Sequence, residues 1–298
     1  MRVLVTGTSG HVGSAIATYL LNGGFEVVGV SRRSSQIRGM IQQVQADLSL
    51  TPFPEQLLKM TSPCSAIVHA AAAIDKTIYN PAITLTNCLG TQQVLNLAKM
   101  WTVSSFVYIS SVPVIGVPRH LPVTEEHPTE PLTAYHASKL FGEHLTRIAE
   151  RDGIRGTVLR LTSPVGPGMP SNRIMSVFVK RALANEPLLL AGRGTRRQNY
   201  VDVRDVAMAV ERCLLKCATG IFNIAGNRSI SNQELAETCV SILRSSSRIT
   251  LTGQPDPEEG VAWEVSIEKA ALCLDYIPRY DIEESIRSLG AEYAISSD

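Results

Sequence analysis

Charge of one sign is the first thing this 298-residue chain lacks: 28 Lys and Arg stand against 27 Asp and Glu, a formal net charge of +1. Without such a field, neither nucleic acid nor an anionic membrane surface is favoured as a partner. The six cysteines, Cys64, Cys88, Cys213, Cys217, Cys239 and Cys273, lack the paired short spacings of a zinc site or a small disulfide scaffold. No metal is expected, and they read as reduced core thiols. No apolar run is long enough to span a bilayer. Internal repeats and low-complexity linkers are missing too, which excludes solenoids and beads on a string. The run Met1 to Val5 leads straight into a glycine loop, so no signal peptide is expected and a cytoplasmic protein is the default.

What the chain does have is alternation. Arg2 to Val5, Glu26 to Val30, Ser65 to His69, Phe106 to Ser110 and Gly156 to Leu161 are short β-branched runs separated by amphipathic helical stretches. That order predicts an α/β fold, a Rossmann-type doubly wound parallel sheet. Gly166-Pro167-Gly168-Met169-Pro170 then breaks the regularity. Residues 1–164 therefore read as an NAD(P)-binding domain. Residues 165–298 read mainly as a smaller C-terminal substrate-binding cap, with segments around 192–228 returning to the core.

Gly7, Gly10 and Gly13 sit between the first strand and the helical pattern Val12 to Leu21. Glycine lets the backbone approach a pyrophosphate, and a helix N-terminus offers free N–H groups to it. At the end of the second strand, where an acid would bind the ribose hydroxyls of NAD, the chain has Ser31-Arg32-Arg33. Two guanidiniums suit a 2′-phosphate, so NADP(H) is expected over NAD(H).

Tyr135 and Lys139 lie four apart in a helical segment, Ala134 to Ile148, and so share one face. Bringing a phenol from a pKa of about 10 to neutrality requires stabilising phenolate by roughly 4 kcal/mol. A neighbouring ammonium supplies part of that, and Ser111 at a strand end can hold a substrate oxygen.

Together these features resemble an extended short-chain dehydrogenase/reductase of the NAD-dependent epimerase/dehydratase group, over nearly the whole length. The match extends through Asp47-Leu48, His69-Ala70-Ala71-Ala72, Asn87-Cys88-Leu89-Gly90-Thr91, Ser110-Ser111, Arg160 to Pro167, Asn199 to Ala207 and Phe222-Asn223-Ile224. It implies cofactor contacts from Gly7, Ser9, Gly10, His11, Val12, Gly13, Ser31, Arg32, Arg33, Asp47, Leu48, Ala70, Ala71, Ala72, Asn87, Tyr135, Lys139 and Thr162. Substrate contacts are implied for Ser111, Val112, Ser163, Arg197 and Gln198, with Arg196 as a neighbouring substitute.

The implied chemistry is hydride transfer to or from a carbonyl or carbinol carbon, foremost of a nucleotide sugar. Tyr135 is the implied acid/base, Lys139 its electrostatic partner and ribose ligand, and Ser111 the carbonyl positioner. The resemblance further implies a homodimer formed through helices near Thr84 to Met100 and Thr133 to Glu150.

Relatives that dehydrate nucleotide sugars carry an Asp-Glu pair where this chain has Val112-Pro113, so 4,6-dehydration is disfavoured. Gln198 stands where the family often has a diphosphate-gripping Arg, and Ser163 where many relatives have Asn. Two alternatives therefore stay open: an NADPH-dependent reductase of a hydrophobic, steroid- or flavonoid-like ketone, and a non-catalytic NADP(H) sensor.

Overall fold

A computed structural model describes residues 1–295 except 36, 51, 76 and 78. In chain order the elements are β1 (Arg2–Thr6), α1 (His11–Asn22), β2 (Glu26–Ser31), β3 (Gln42–Gln45), α2 (Phe53–Met60), β4 (Ala66–His69), α3 (Gly90–Met100), β5 (Ser105–Ser111), α4 (Ala134–Ile148) and β6 (Arg155–Leu161). There follow β7 (Ser163–Val165), α5 (Ile174–Leu183), β8 (Leu188–Leu190), β9 (Arg197–Asp202), α6 (Val203–Lys216), β10 (Gly220–Ile224), β11 (Ser229–Ser231), α7 (Asn232–Ile242), β12 (Ile249–Leu251), α8 (Glu268–Leu274) and α9 (Ile282–Ile295). Seven strands form one sheet in the order β10-β6-β5-β4-β1-β2-β3, and every pairing in it is parallel.

A parallel sheet covered on both faces needs apolar side chains in both pleat directions, which is why its strands are runs and not alternations. In β1, Val3 and Val5 pack with Ile16, Leu20, Val206 and Val210 on the face covered by α1 and α6. Leu4 points to the other face, with Ile67, Val94, Leu97 and Phe106. Each such fully buried side chain contributes on the order of 2 kcal/mol. The chain order reverses at β1, between β2 and β4, so the carboxyl ends of these strands open the crevice where doubly wound sheets take ligands.

The later elements build a second, smaller core of Met175, Phe178, Leu235, Ile286 and Leu289. Short strands pair there as β11-β9-β7 and β12-β8, while β10 returns to the large sheet beside β6. The C-terminal stretch is clasped to the start of α6. The Asp205 carboxylate accepts the backbone N–H groups of Arg279 and Tyr280 at 3.0 and 3.1 Å, and Ser285 Oγ donates to Asp202 at 2.7 Å. Asp202 also caps α6 by accepting from the Arg204 N–H.

The thiols depart from expectation. Cys64, Cys213 and Cys239 are buried and burial pushes all three up, Cys64 to about 11. Cys217 and Cys273 are exposed, because they fall on the outward faces at the end of α6 and in α8, where an apolar local sequence does not guarantee burial.

Candidate functional site

The glycine loop joins β1 to α1 at the crevice. Gly7 has φ +80°, and a Cβ there would sit 2.8 Å from the Ala71 backbone, while one at Gly13 would collide with the Gly7 carbonyl. Both positions therefore demand glycine. Gly10 caps α1 without a side-chain hydrogen bond, and the first turn carries no acid, so its N–H groups remain available to an anion. This cradle, a close backbone turn ending in uncapped N–H donors, fits a dinucleotide pyrophosphate.

Beside it opens a cavity of about 830 Å³, lined by Thr8, Ser9, Ser14, Thr18, Arg33, Ser34, Ser35, Ile37 and Arg38. Here the structure revises the arginine pair. Arg33 does reach the cavity, but its partner is Arg38, whereas Arg32 lies within Coulombic reach of Asp47. Adjacent residues leaving a strand point apart, and the β2–β3 loop brings Arg38 back across. Ser31 is buried, donating to the Arg33 carbonyl at 2.5 Å and accepting from Gln43 Nε2 at 2.9 Å. It ties the Arg33 backbone to β3.

The tips of β1 and β4 are tied by a directed relay. Thr91 Oγ1 donates to the Asn87 carbonyl at 2.5 Å, so towards His69 it accepts, which puts the imidazole proton on Nε2 (3.0 Å). Nδ1 then accepts from Thr6 Oγ1 at 2.7 Å, and Thr6 in turn accepts the Ala71 N–H at 3.2 Å. Burial, helped by Lys139, pushes His69 down to about 3 and keeps it neutral. Asn87 lies in a π-helical stretch, Ile83–Leu89, ahead of α3. Its amide is turned to the chain, accepting from the Ala73 N–H and donating to the Ala73 carbonyl and Ser138 Oγ, all at 2.7–2.9 Å. The side chain thus shapes the backbone at Ala73 and ties it to α4.

Tyr135 and Lys139 come together on α4, which Thr133 starts by accepting the His136 N–H. Lys139 Nζ donates to the Ile109 carbonyl at 2.9 Å, two residues before Ser111, and lies 5.9 Å from the Tyr135 ring centre. Helix and strand end thus meet at one point. Ser111 caps the short turn Val112–Ile115 with its backbone alone, so its hydroxyl is not spent there.

The electrostatics run against the sequence expectation. Burial pushes the Tyr135 phenol up to about 12, with Arg173 pulling the other way, and pushes Lys139 down to about 8, opposed by Glu143. Desolvation dominates at both groups, and Nζ spends a hydrogen bond on a carbonyl.

His11 opens α1 and touches the Gly166–Gly168 loop, with a Gly168 Cβ position 3.9 Å from its ring. Burial holds its imidazole down to about 4, with the Gly166 and Pro167 backbone and the Asp202 carboxylate pulling the other way.

On the cap side, Thr162 Oγ1 donates to Asn199 Oδ1 at 3.1 Å, and Asn199 also accepts the Gly226 N–H at 2.8 Å. Sequence reading did not single out Asn199 for this pinning role. Gln198, with its amide oriented to satisfy both neighbours, donates to Ser163 Oγ at 3.2 Å and accepts from Arg196 at 2.8 and 2.9 Å. Arg196 is further held by Glu258 and Asp256. Arg197, expected as a substrate contact, is committed to Glu234 (3.1 Å) and the Ser229 carbonyl (2.8 Å). The antiparallel pairing of β9 with β11 carries it to the capping box of α7, where Glu234 neutralises it.

Residues 3–225 match the family described as NAD dependent epimerase/dehydratase. The chain is 28% identical to a putative UDP-glucose 4-epimerase of Methanocaldococcus jannaschii over 301 residues, covering 96% of both chains. With UDP-glucose 4-epimerase 2 of Arabidopsis thaliana it shares 27% identity, over 96% of this chain and 93% of the other. Its fold superposes on the UDP-glucose 4-epimerase of Thermotoga maritima, crystallised with UDP-glucose, with a TM-score of 0.90 at 22% identity over the full length of both. The Thermus thermophilus UDP-glucose 4-epimerase, in complex with NAD, gives 0.87 at 24% identity over 99% of each chain. Family match, strand order and glycine loop agree: the chain belongs to the NAD dependent epimerase/dehydratase family and is an enzyme of the extended short-chain dehydrogenase/reductase kind.

Proposed function

We propose that the protein is an NAD(P)-dependent oxidoreductase or epimerase that interconverts a carbinol and a carbonyl carbon of a nucleotide sugar. The observation that carries the reading is the meeting of Lys139 with the Ile109 carbonyl beneath Tyr135, two residues from Ser111. When bound, a nicotinamide dinucleotide supplies the hydride acceptor and donor. Tyr135 Oη, once ionised to phenolate beside the Lys139 ammonium and the positive charge of an oxidised nicotinamide, would take the hydroxyl proton as the carbinol is oxidised and, as phenol, return it on reduction. Ser111 Oγ donates to the same substrate oxygen, and Lys139 keeps positive charge beside the phenol. Val112 and Pro113 have no proton to transfer, which disfavours dehydration. The cap, mainly residues 165–298, would cover the substrate.

For the cofactor we favour NADP(H), because Arg33 and Arg38 line the same cavity and a 2′-phosphate there would attract both. An exchangeable NADPH makes net reduction of a keto-sugar the second reading. A homodimer through α3 and α4 is supported by Leu85, Met100, Phe141 and Ile148, large apolar side chains exposed on or beside those helices. A monomeric mass at micromolar concentration would remove it.

The deciding experiment is mass spectrometry of the purified protein for retained dinucleotide, followed by incubation with nucleotide sugars and with NADPH plus keto-sugars. Retained dinucleotide with epimer formation and no net cofactor consumption identifies an epimerase, and NADPH consumption a reductase. Failure of any substrate to exchange a deuterium label with the dinucleotide rejects both.

A further inference from the structure

Beneath Lys139 lies a polar group that the proposed chemistry does not use. Glu143, one turn further along α4, accepts from Ser110 Oγ at 2.5 Å. Arg160, on β6, closes on the same carboxylate with Nε at 3.0 and 3.2 Å and Nη2 at 2.8 Å, and donates through Nη1 to the Glu125 carbonyl at 3.3 Å. The two side chains are only 4% and 3% exposed. A buried ion pair is a weak source of stability, since desolvation consumes most of its attraction, so its place calls for another account.

Its position supplies one. Glu143 and Lys139 stand four apart on a helix and therefore face the same way, and Ser110 and Ile109 are consecutive on β5, one gripping Glu143 and the other Lys139. Three elements, α4, β5 and β6, thus converge on a cluster of two cations and one anion, leaving one positive charge in surplus on the side of Tyr135.

We propose that the Glu143–Arg160 pair is a positioning device that sets how firmly Lys139 holds its proton. Glu143 favours the ammonium through space across one helical turn, while the Ile109 carbonyl holds it, and Arg160 offsets part of the carboxylate's charge. The other titratable groups facing Lys139 are Tyr108 from β5, whose ring centre is 4.9 Å from Nζ, Tyr135 from α4 and His69 from β4. None of these is an anion at neutral pH, so Glu143 is the carboxylate that governs the site. The proposal deepens the reading that Lys139 serves beside Tyr135, but its test is made on the unliganded protein and so can fail independently of that reading.

Protein labelled with ε-13C lysine is titrated by NMR, with Lys139→Arg used to assign its resonance. Lys139 should titrate near 8, well below solvated lysines at about 10.4. Glu143→Gln should lower that midpoint by about one pH unit, Arg160→Gln should raise it by a similar amount, and the double variant should return towards wild type. A merely structural pair predicts no opposed shifts. If only one single variant folds, its shift and the return in the double variant decide. Midpoints that stay within about 0.2 pH unit of wild type, or that move in the same direction in both single variants, overturn the proposal.

Discussion

Beneath Lys139 the charged groups are buried and committed to one another, with Arg160 and Glu143 sharing three short contacts. At the glycine-loop cavity, by contrast, Arg33 and Arg38 stand exposed, without an acidic partner among the described residues. The first region is ordered by folding itself. The second is left facing solvent. Transition-state chemistry rewards groups already in place, whereas selection between two cofactors rewards groups whose charge only one of them satisfies. The cap arginines resemble the floor more than the rim, since Arg196 and Arg197 are both held by acids.

The severest way to break this contrast is to remove the group that the floor supports. Tyr135→Phe should lower turnover at least about 10³-fold while leaving dinucleotide affinity within about twofold, read by steady-state kinetics and calorimetric titration. Substantial residual turnover would take Tyr135 out of its role.

Next comes acid. His69 has its folded pKa held to about 3, below the ordinary 6.5 of the unfolded chain, and His11 is held to about 4. Their stabilising contribution is complete above pH 6.5 and is lost as pH falls towards those folded values. Asp205 works in the opposite sense: burial raises it to about 6 from 3.8, so its penalty above pH 6 fades as pH falls towards 3.8. Urea unfolding should show a loss of a few kcal/mol between pH 6.5 and 4.5. A flat profile would mean that the buried relay at the strand tips does not stay neutral.

The rim gives a smaller effect of a different kind. Arg33→Ala and Arg38→Ala should each weaken NADPH binding about 10-fold and change NADH binding little. Equal losses for both cofactors, or tighter binding of NADH by the wild type, would move these arginines out of 2′-phosphate recognition.

Smallest of all is the cap. Arg197→Ala should cost about 0.5 kcal/mol or less in urea unfolding, because the Glu234 pair is partly exposed, and should leave substrate KM unchanged. A large rise in KM would restore Arg197 as a substrate contact.

Much of the architecture was legible because each strand of the sheet interior is a run of β-branched residues. The five expected runs appear as β1, β2, β4, β5 and β6, each within a residue of its expected bounds. β3 was not, since Gln42-Gln43-Val44-Gln45 has one apolar residue and forms at the sheet edge through pairing with β2. The four-residue spacing of Tyr135 and Lys139 fixed their shared face from sequence. It could not reveal their ionisation, which depends on desolvation by elements far apart in the chain. Glu143 repeats that spacing once more and was there to be found, whereas Arg38 and Asn199 carried no local signal. Arg38 is brought to the cavity by the β2–β3 loop, and Asn199 reaches Thr162 and Gly226 through strand pairing.

The clasp between Asp205 and the turn ahead of α9 grips main chain and no side chain. It asks only an amide hydrogen of residues 279 and 280, while the Tyr280 ring adds a separate hold, its centre lying 3.7 Å from the Arg204 guanidinium. Pro278, one position earlier, marks the limit: a shift of the proline by a single step would delete a donor and leave a buried carboxylate short of a partner. The joint thus constrains the backbone at 279 and both the backbone and the ring at 280.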